Sequence, residues 1–288
     1  METILQTENL CKRRAGFYLD NVSLSLPAGC VMGLVGENGA GKSTLLKALL
    51  GVVRPDGGQV SLFGEPFDLS KRDVLERIGA VFDSEQFPEV MTAPQIGKCL
   101  AGVYRGWERR TFDGFLKQFS IPGDKPIRKL SKGMKMKVCL AAALSHRAEL
   151  LLLDEPTEGL DPLARDEFCT MLSDFVSHGS NAVLLSSHIV SDLEKVCDYI
   201  AFLHEGRLLL CEEKDRLKER YGVLRCAPEE TERYADITAA KRLSPYGAEL
   251  LVRREGVPVG SALGQAGLED IFLFLCRGRG GENELGRI

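Results

Sequence analysis

Between residues 20 and 35 the chain changes rhythm. Val22, Leu24 and Leu26 alternate with polar neighbours, the period of a strand with one wet face. Pro27-Ala28-Gly29 marks a turn. Residues 30–35 are then almost wholly apolar, as a strand covered on both faces must be. A glycine-rich loop, residues 36–41, leads to a helical stretch, residues 42–50, that stops at Gly51. Strand, glycine loop and helix predict the opening of a doubly wound α/β sheet. Further strands are expected at residues 60–63, 78–82, 150–153 and 182–186, with a hairpin formed by 200–203 and 207–210. Between about residues 88 and 147 the β signal disappears and helical periodicity takes over, interrupted at Ile121-Pro122-Gly123. That predicts an inserted helical subdomain. Past residue 215 the pattern changes again, to a charged helical stretch (216–220), a short strand (249–252) and a late helix (268–275) before a Gly/Arg-rich tail. The expected organisation is one α/β domain over residues 1–215 and a small C-terminal α+β accessory region over 216–288.

Charge narrows the range of partners. A net charge of -4 and a pI near 5.7 leave no general basic field, so nucleic acid is not an expected partner. Nine dispersed cysteines without a C-x-x-C pair, and four histidines, do not suggest a zinc cluster. They read as small buried hydrophobes in a reducing compartment. The start, Met1-Glu2-Thr3-Ile4, lacks the basic segment of a signal peptide, and no apolar run reaches the roughly 18 residues of a membrane helix. The expected location is cytoplasmic, unless another protein holds the chain at a membrane.

Two motifs carry phosphate chemistry. Gly36-Glu37-Asn38-Gly39-Ala40-Gly41-Lys42-Ser43-Thr44 fits G-x-x-x-x-G-K-[ST] in full. Its glycines let consecutive N–H groups point at phosphate oxygens, and the helix that follows adds its positive end. Lys42 should reach the β- and γ-phosphates of ATP, and the Ser43 hydroxyl should bind Mg²⁺. The second motif is the leucine run 150–153 closed by Asp154-Glu155-Pro156. Packing needs the leucines but not two adjacent acids at the strand's carboxyl end. Asp154 is a candidate Mg²⁺ ligand and Glu155 a candidate base or positioning group for attacking water.

With three further features the chain resembles the ABC ATPase family. Leu130-Ser131-Lys132-Gly133-Met134 looks like a variant of the family signature Leu-Ser-Gly-Gly-Gln. Glu158-Gly159-Leu160-Asp161 is similar to the D-loop, and Ser186-Ser187-His188 to the segment carrying the switch histidine. The likeness covers about residues 3–210. It implies a P-loop NTPase fold with a RecA-like core, an antiparallel β subdomain and the helical insertion. It also implies that two such chains stack head to tail, the phosphate loop of one facing Ser131 and Gly133 of the other. His188 would contact the γ-phosphate and Asp161 would act across the interface. The alternative reading of Ser131 is a plain helix cap. A transporter subunit is then implied, similar to the antibiotic- and peptide-export type. It would dimerise as a homodimer and drive a separate transmembrane permease from the inner face of the membrane. The alternative is a soluble ATPase of the same type in nucleic-acid maintenance or translation.

Four positions depart from the family pattern, one of them Met134 in place of the signature glutamine. Asp83 stands where a glutamine is usual; it is a candidate Mg²⁺ or water ligand, or an ordinary loop aspartate. Arg14 holds the place of the aromatic that stacks on adenine, with Phe17 and Tyr18 as substitutes. Lys132 replaces the first signature glycine and would bring a cation towards the partner's phosphates. Lys135 and Lys137 follow on the same helix and read as a solvated basic face.

Overall fold

The computed structural model describes residues 2–277 apart from 15, 69, 71, 83–85, 178, 246 and 259. The chain divides into two compact units, Met1–Leu210 and Cys211–Ile288.

In the first unit β1 (Thr3–Arg14) and β2 (Phe17–Pro27) pair antiparallel, and β3 (Val31–Val35) leads into α1 (Lys42–Leu49). β4 (Gly57–Leu62) pairs with β1, and the short β5 (Glu65–Pro66) pairs with β4, both antiparallel. α2 (Arg72–Glu76) precedes β6 (Ile78–Val81). Then come α3 (Ala93–Leu100), α4 (Arg109–Gln118) and α5 (Lys132–Leu144) with no strand between them. The β/α alternation resumes with β7 (Leu150–Asp154), α6 (Pro162–Val176), β8 (Ala182–Ser187) and α7 (Val190–Val196), and ends in β9 (Tyr199–His204) and β10 (Arg207–Glu213).

The ten strands form one sheet in the order β5-β4-β1-β2-β10-β9-β3-β8-β7-β6. Its β9-β3-β8-β7-β6 part is parallel, and its β5-β4-β1-β2 part is antiparallel. The parallel part is the driest. Leu150, Leu151, Leu152 and Leu153 are each 0% exposed, and a fully buried leucine contributes about 2 kcal/mol. The helices of residues 93–144 have their own core, in which Phe112, Ile127 and Val138 are buried and Trp107 and Phe115 pack against them.

The second unit begins with α8 (Lys214–Arg220). Strands β11 (Tyr221–Cys226), β12 (Thr238–Ser244), β13 (Gly247–Arg253) and β14 (Leu263–Gln265) form an antiparallel sheet in the order β12-β13-β11-β14. α9 (Leu268–Arg277) packs beside β12 and buries Leu268, Ile271, Phe272, Phe274 and Leu275.

Several elements go beyond the sequence reading, among them β1, β11, β12, α6 and α7. β1 has a clear physical reason. Its buried positions are Ile4, Leu5, Thr7 and Leu10; past Thr7 the alternation slips at Asn9, a bulge residue with φ 49°. The cysteines also differ from expectation. Cys139 and Cys197 are buried, Cys99 is exposed and the other six lie between. Among the described residues no helix is long and apolar enough to cross a membrane.

Candidate nucleotide site

Three adjacent strands deliver their carboxyl ends to one place. Val35 of β3 pairs with Ser187 of β8, and Ser186 of β8 pairs with Asp154 of β7. Ligands of open parallel sheets bind beyond such ends.

The loop leaving β3 turns on Gly39 (φ 84°) and Gly41 (φ 108°), the latter serving as N-cap of α1. A side chain at Gly41 would be strained by φ, and its Cβ would lie 2.5 Å from Phe17 Cζ. Phe17 thus presses its ring on the end of the loop. Arg14, opposite Phe17 in the β1–β2 hairpin, is exposed. Arg13, Arg14, Gly16, Phe17 and Tyr18 line an open recess beside this edge. Of the loop, Glu37, Asn38 and Gly39 are exposed and Gly36 and Ala40 buried, while Ser43 and Thr44 lie half-buried in the first turn of α1.

Lys42 is 5% exposed. Its Nζ donates to the carbonyls of Gly36 (2.6 Å) and Glu37 (3.2 Å) and sits 3.0 Å from Glu155 Oε1. That carboxylate oxygen is buried and accepts no hydrogen bond, so the Lys42 charge is its compensation. Glu155 Oε2 accepts from the backbone N–H of His188 (3.2 Å) and lies 2.9 Å from its Nδ1. The backbone of Glu155 is left-handed, φ 48°. That conformation costs on the order of 1 kcal/mol in a residue with a side chain. Its N–H donates to Ser186 Oγ (3.0 Å), whose own hydroxyl donates to Asp154 Oδ1 (2.6 Å). Lys42, Asp154, Glu155 and His188 therefore meet in one network. Ser186, one of the two hydroxyls that close an otherwise apolar buried strand, ties it together, and that change from apolar to polar is the signal by which the sequence could have pointed to it.

Ser131 and Asp161 are not part of this network. Ser131 is the N-cap of α5 and accepts from Met134 N (3.2 Å). Asp161 is the N-cap of α6 and accepts from Ala164 N (2.9 Å). Gly133, in the first turn of α5, faces Leu160. Lys132 is turned to its own chain, with Nζ 3.3 Å from Glu158 Oε2. Lys137 pairs with Glu167 at 2.9 Å and lies over the Phe119 ring, so it is not simply part of a solvated face. Asp83 lies outside the described residues.

The donor set suits Mg²⁺. Asp154 and Ser43 offer hard oxygens, and α1 packs on β7. Among the described residues no group of three or more His, Cys, Asp or Glu could hold a metal by itself. A cation there would have to share its ligands with phosphate oxygens and water, which is how Mg²⁺ is usually held.

A phosphate loop after a buried strand, with an acid pair at the end of a neighbouring strand, defines a P-loop nucleoside triphosphatase. A family model described as ABC transporter matches residues 19–158. The chain is 34% identical to the bacitracin transport ATP-binding protein BcrA of Bacillus licheniformis, over 76% of this chain and 73% of that protein. It is also 34% identical to the lantibiotic transport ATP-binding protein SrtF of Streptococcus pyogenes, over 68% of this chain and 85% of that one. Among solved structures it resembles CbiO1 of Clostridium perfringens, part of the ABC transporter complex CbiONQ. The TM-score is 0.65 at 27% identity, over 75% of this chain and 91% of that one. The chain belongs to the family of ABC transporter ATP-binding proteins, and is an ATP-binding and ATP-hydrolysing subunit of that class. The relatives are transport proteins, so the soluble alternative is not favoured.

Proposed function

We propose that this chain is one half of a head-to-tail ATPase dimer that drives a separate transmembrane permease, exporting an antibiotic or peptide. The observation that carries the reading is Glu155, held between Lys42 and His188 where β3, β7 and β8 end side by side. A lysine that can leave a carboxylate for a phosphate, and a carboxylate that is then free to orient water, are the parts that phosphoryl transfer to water needs.

The loop 36–44 holds the phosphates, with N–H groups of the loop and of α1 pointed at them. Lys42 moves its charge from Glu155 to the β- and γ-oxygens. Glu155 then accepts from or aligns the attacking water, and His188 keeps its orientation through both the backbone and the ring. Mg²⁺, held by Ser43, Asp154 and Asp83, would supply charge neutralisation on the phosphate oxygens. Phe17 or Arg14 covers the base. Ser131, Gly133 and Asp161 lie in the first turns or caps of helices whose free N–H groups suit a partner's γ-phosphate. The second subunit is a copy of this chain, since one chain carries both kinds of half-site. The helical region, about residues 88–147, offers the contact to the permease, where Val90 is 71% exposed. The protein then sits at the inner face of the membrane without entering it. Residues 1–215 are the ATPase domain and 216–288 an accessory region.

The test is size-exclusion with light scattering on Glu155→Gln, with and without ATP and Mg²⁺. Glutamine keeps the shape and removes the base, so bound ATP should persist. An ATP-dependent shift from monomer to dimer is expected. A chain that binds ATP and stays monomeric would overturn the homodimer.

A further inference from the structure

The loop 158–161 is joined on both sides by long side chains. On one side is the start of α5. Lys132 Nζ reaches Glu158 Oε2 at 3.3 Å, and the Lys132 stem lies over Gly159, where an added Cβ would come 3.1 Å from Cδ. The space above Gly133 is closed by Leu160 Cδ2, 3.2 Å from where a Cβ would be. On the other side Arg165, in the second turn of α6, reaches back and across. Its Nε donates to the Leu160 carbonyl at 3.1 Å and its Nη1 to Asp192 Oδ1 at 3.5 Å.

Asp192 is 7% exposed and sits in the first turn of α7, the helix that begins two residues after His188. Its second oxygen, Oδ2, is buried with no hydrogen-bond partner. The Arg165 guanidinium is the cation that pairs with this carboxylate, and leaving a buried charge unpaired is strongly unfavourable. The contact therefore resists breaking when the loop moves. A guanidinium is also planar, so its two bonds have a fixed relation to each other. A shift of the Leu160 carbonyl must be followed by the start of α7. From there Ile189 N donates to Ser187 Oγ, and His188 holds Glu155 Oε2 through its N–H and its ring.

We propose that Arg165 is a positioning residue that couples the two kinds of half-site. It carries the placement of loop 158–161, and of Ser131 beside it, to His188 and Glu155. The proposal rests on the head-to-tail dimer, in which Ser131 and Asp161 serve the partner's nucleotide while Glu155 serves the chain's own. A nucleotide seated against Ser131 of one chain would then be felt at Glu155 of that same chain.

The test compares Arg165→Gln with the double variant Arg165→Gln/Asp192→Asn. The single change strands Asp192, so melting temperature and hydrolysis should both fall. The double change removes both charges, and Asp192→Asn keeps the size of the buried partner. It should regain most of the melting temperature, while kcat stays about tenfold low and the Hill coefficient for ATP falls towards that of independent sites. ATP binding measured on the single chain should stay within about twofold, since no residue touching the phosphate loop is altered. A double variant that regains kcat and cooperativity along with stability would show a merely structural pair and overturn the proposal. Adding both changes to the Glu155→Gln background separates the two levels of the argument. If Glu155→Gln alone forms no ATP-dependent dimer, the sandwich fails and the proposal fails with it. A normal dimer together with a fully active double variant sinks the proposal alone.

Discussion

Two half-sites of the first unit treat their polar groups differently. At the phosphate-loop end the charges answer one another. Lys42, Glu155, Ser186, Asp154 and His188 form one bonded set, mostly buried, on the ends of three paired strands. At the second half-site Ser131 and Asp161 satisfy only their own helices, and both are exposed. A cap uses one of several free N–H groups at a helix start, and the rest remain available. The first end is thus complete in chemistry but open to one side. The second offers the free N–H groups of two helix starts and no acid–base network of its own. In the proposed head-to-tail dimer, two copies would make each half-site whole.

Removing Lys42 should strike hardest. Lys42→Ala loses the phosphate clamp and leaves Glu155 Oε1 buried without its counter-charge, so hydrolysis should fall by about a thousandfold in a steady-state phosphate-release assay. Next comes Glu155→Gln, expected to lower kcat by about a hundredfold or more while ATP stays bound, as filter binding would show. A variant with unchanged kcat would remove Glu155 from the mechanism.

Changes at the exposed end should be milder and should not touch binding by the single chain. Ser131→Ala loses an N-cap worth about 1 kcal/mol, seen as a small drop in melting temperature. Its kcat should fall by about tenfold, with the ATP affinity of the monomer unchanged. An equal loss in monomer affinity would place Ser131 in its own chain's site.

The smallest effect concerns pH and separates stability from the site. His146, just past α5, stacks on Tyr104 at 4.0 Å, and its Nδ1 lies 3.2 Å from the Glu76 carbonyl. Burial holds its pKa below the usual histidine value. The unfolded chain therefore takes up this proton first as pH falls. The stability from keeping His146 neutral is full above about pH 6.5 and is lost as pH drops from there towards the lower folded value. His146→Phe keeps the stacked ring and should flatten that part of the stability profile in urea titrations. A profile as steep as before would assign the loss to another group.

Much of this was legible in the sequence, for physical reasons that differ by region. The buried strands 31–35 and 150–154 announce themselves because burial on both faces demands an unbroken apolar run. The phosphate loop is legible because its glycines and lysine are dictated by the ligand. The second unit was harder, since its short strands each bury only a few positions and β12 buries two of its seven residues. Side-chain geometry was not readable at all. The sequence suggested that Lys132 faces a partner's phosphates; within the single chain its Nζ lies 3.3 Å from Glu158 Oε2, 26 positions on, a contact no motif announces. Ser186 likewise needed the β7–β8 register before its two bonds could be seen.

The head-to-tail arrangement makes one prediction that no single-chain mechanism shares. Lys42→Ala and Ser131→Ala, each impaired alone, are mixed in equal amounts and ATP hydrolysis is measured. In a mixed dimer one site combines both lesions, and the other combines an intact Lys42 with an intact Ser131 from the opposite chain. The account predicts hydrolysis well above the sum of the two variants measured apart. A mixture no more active than that sum would contradict it, since Ser131 would then be serving its own chain or no nucleotide at all.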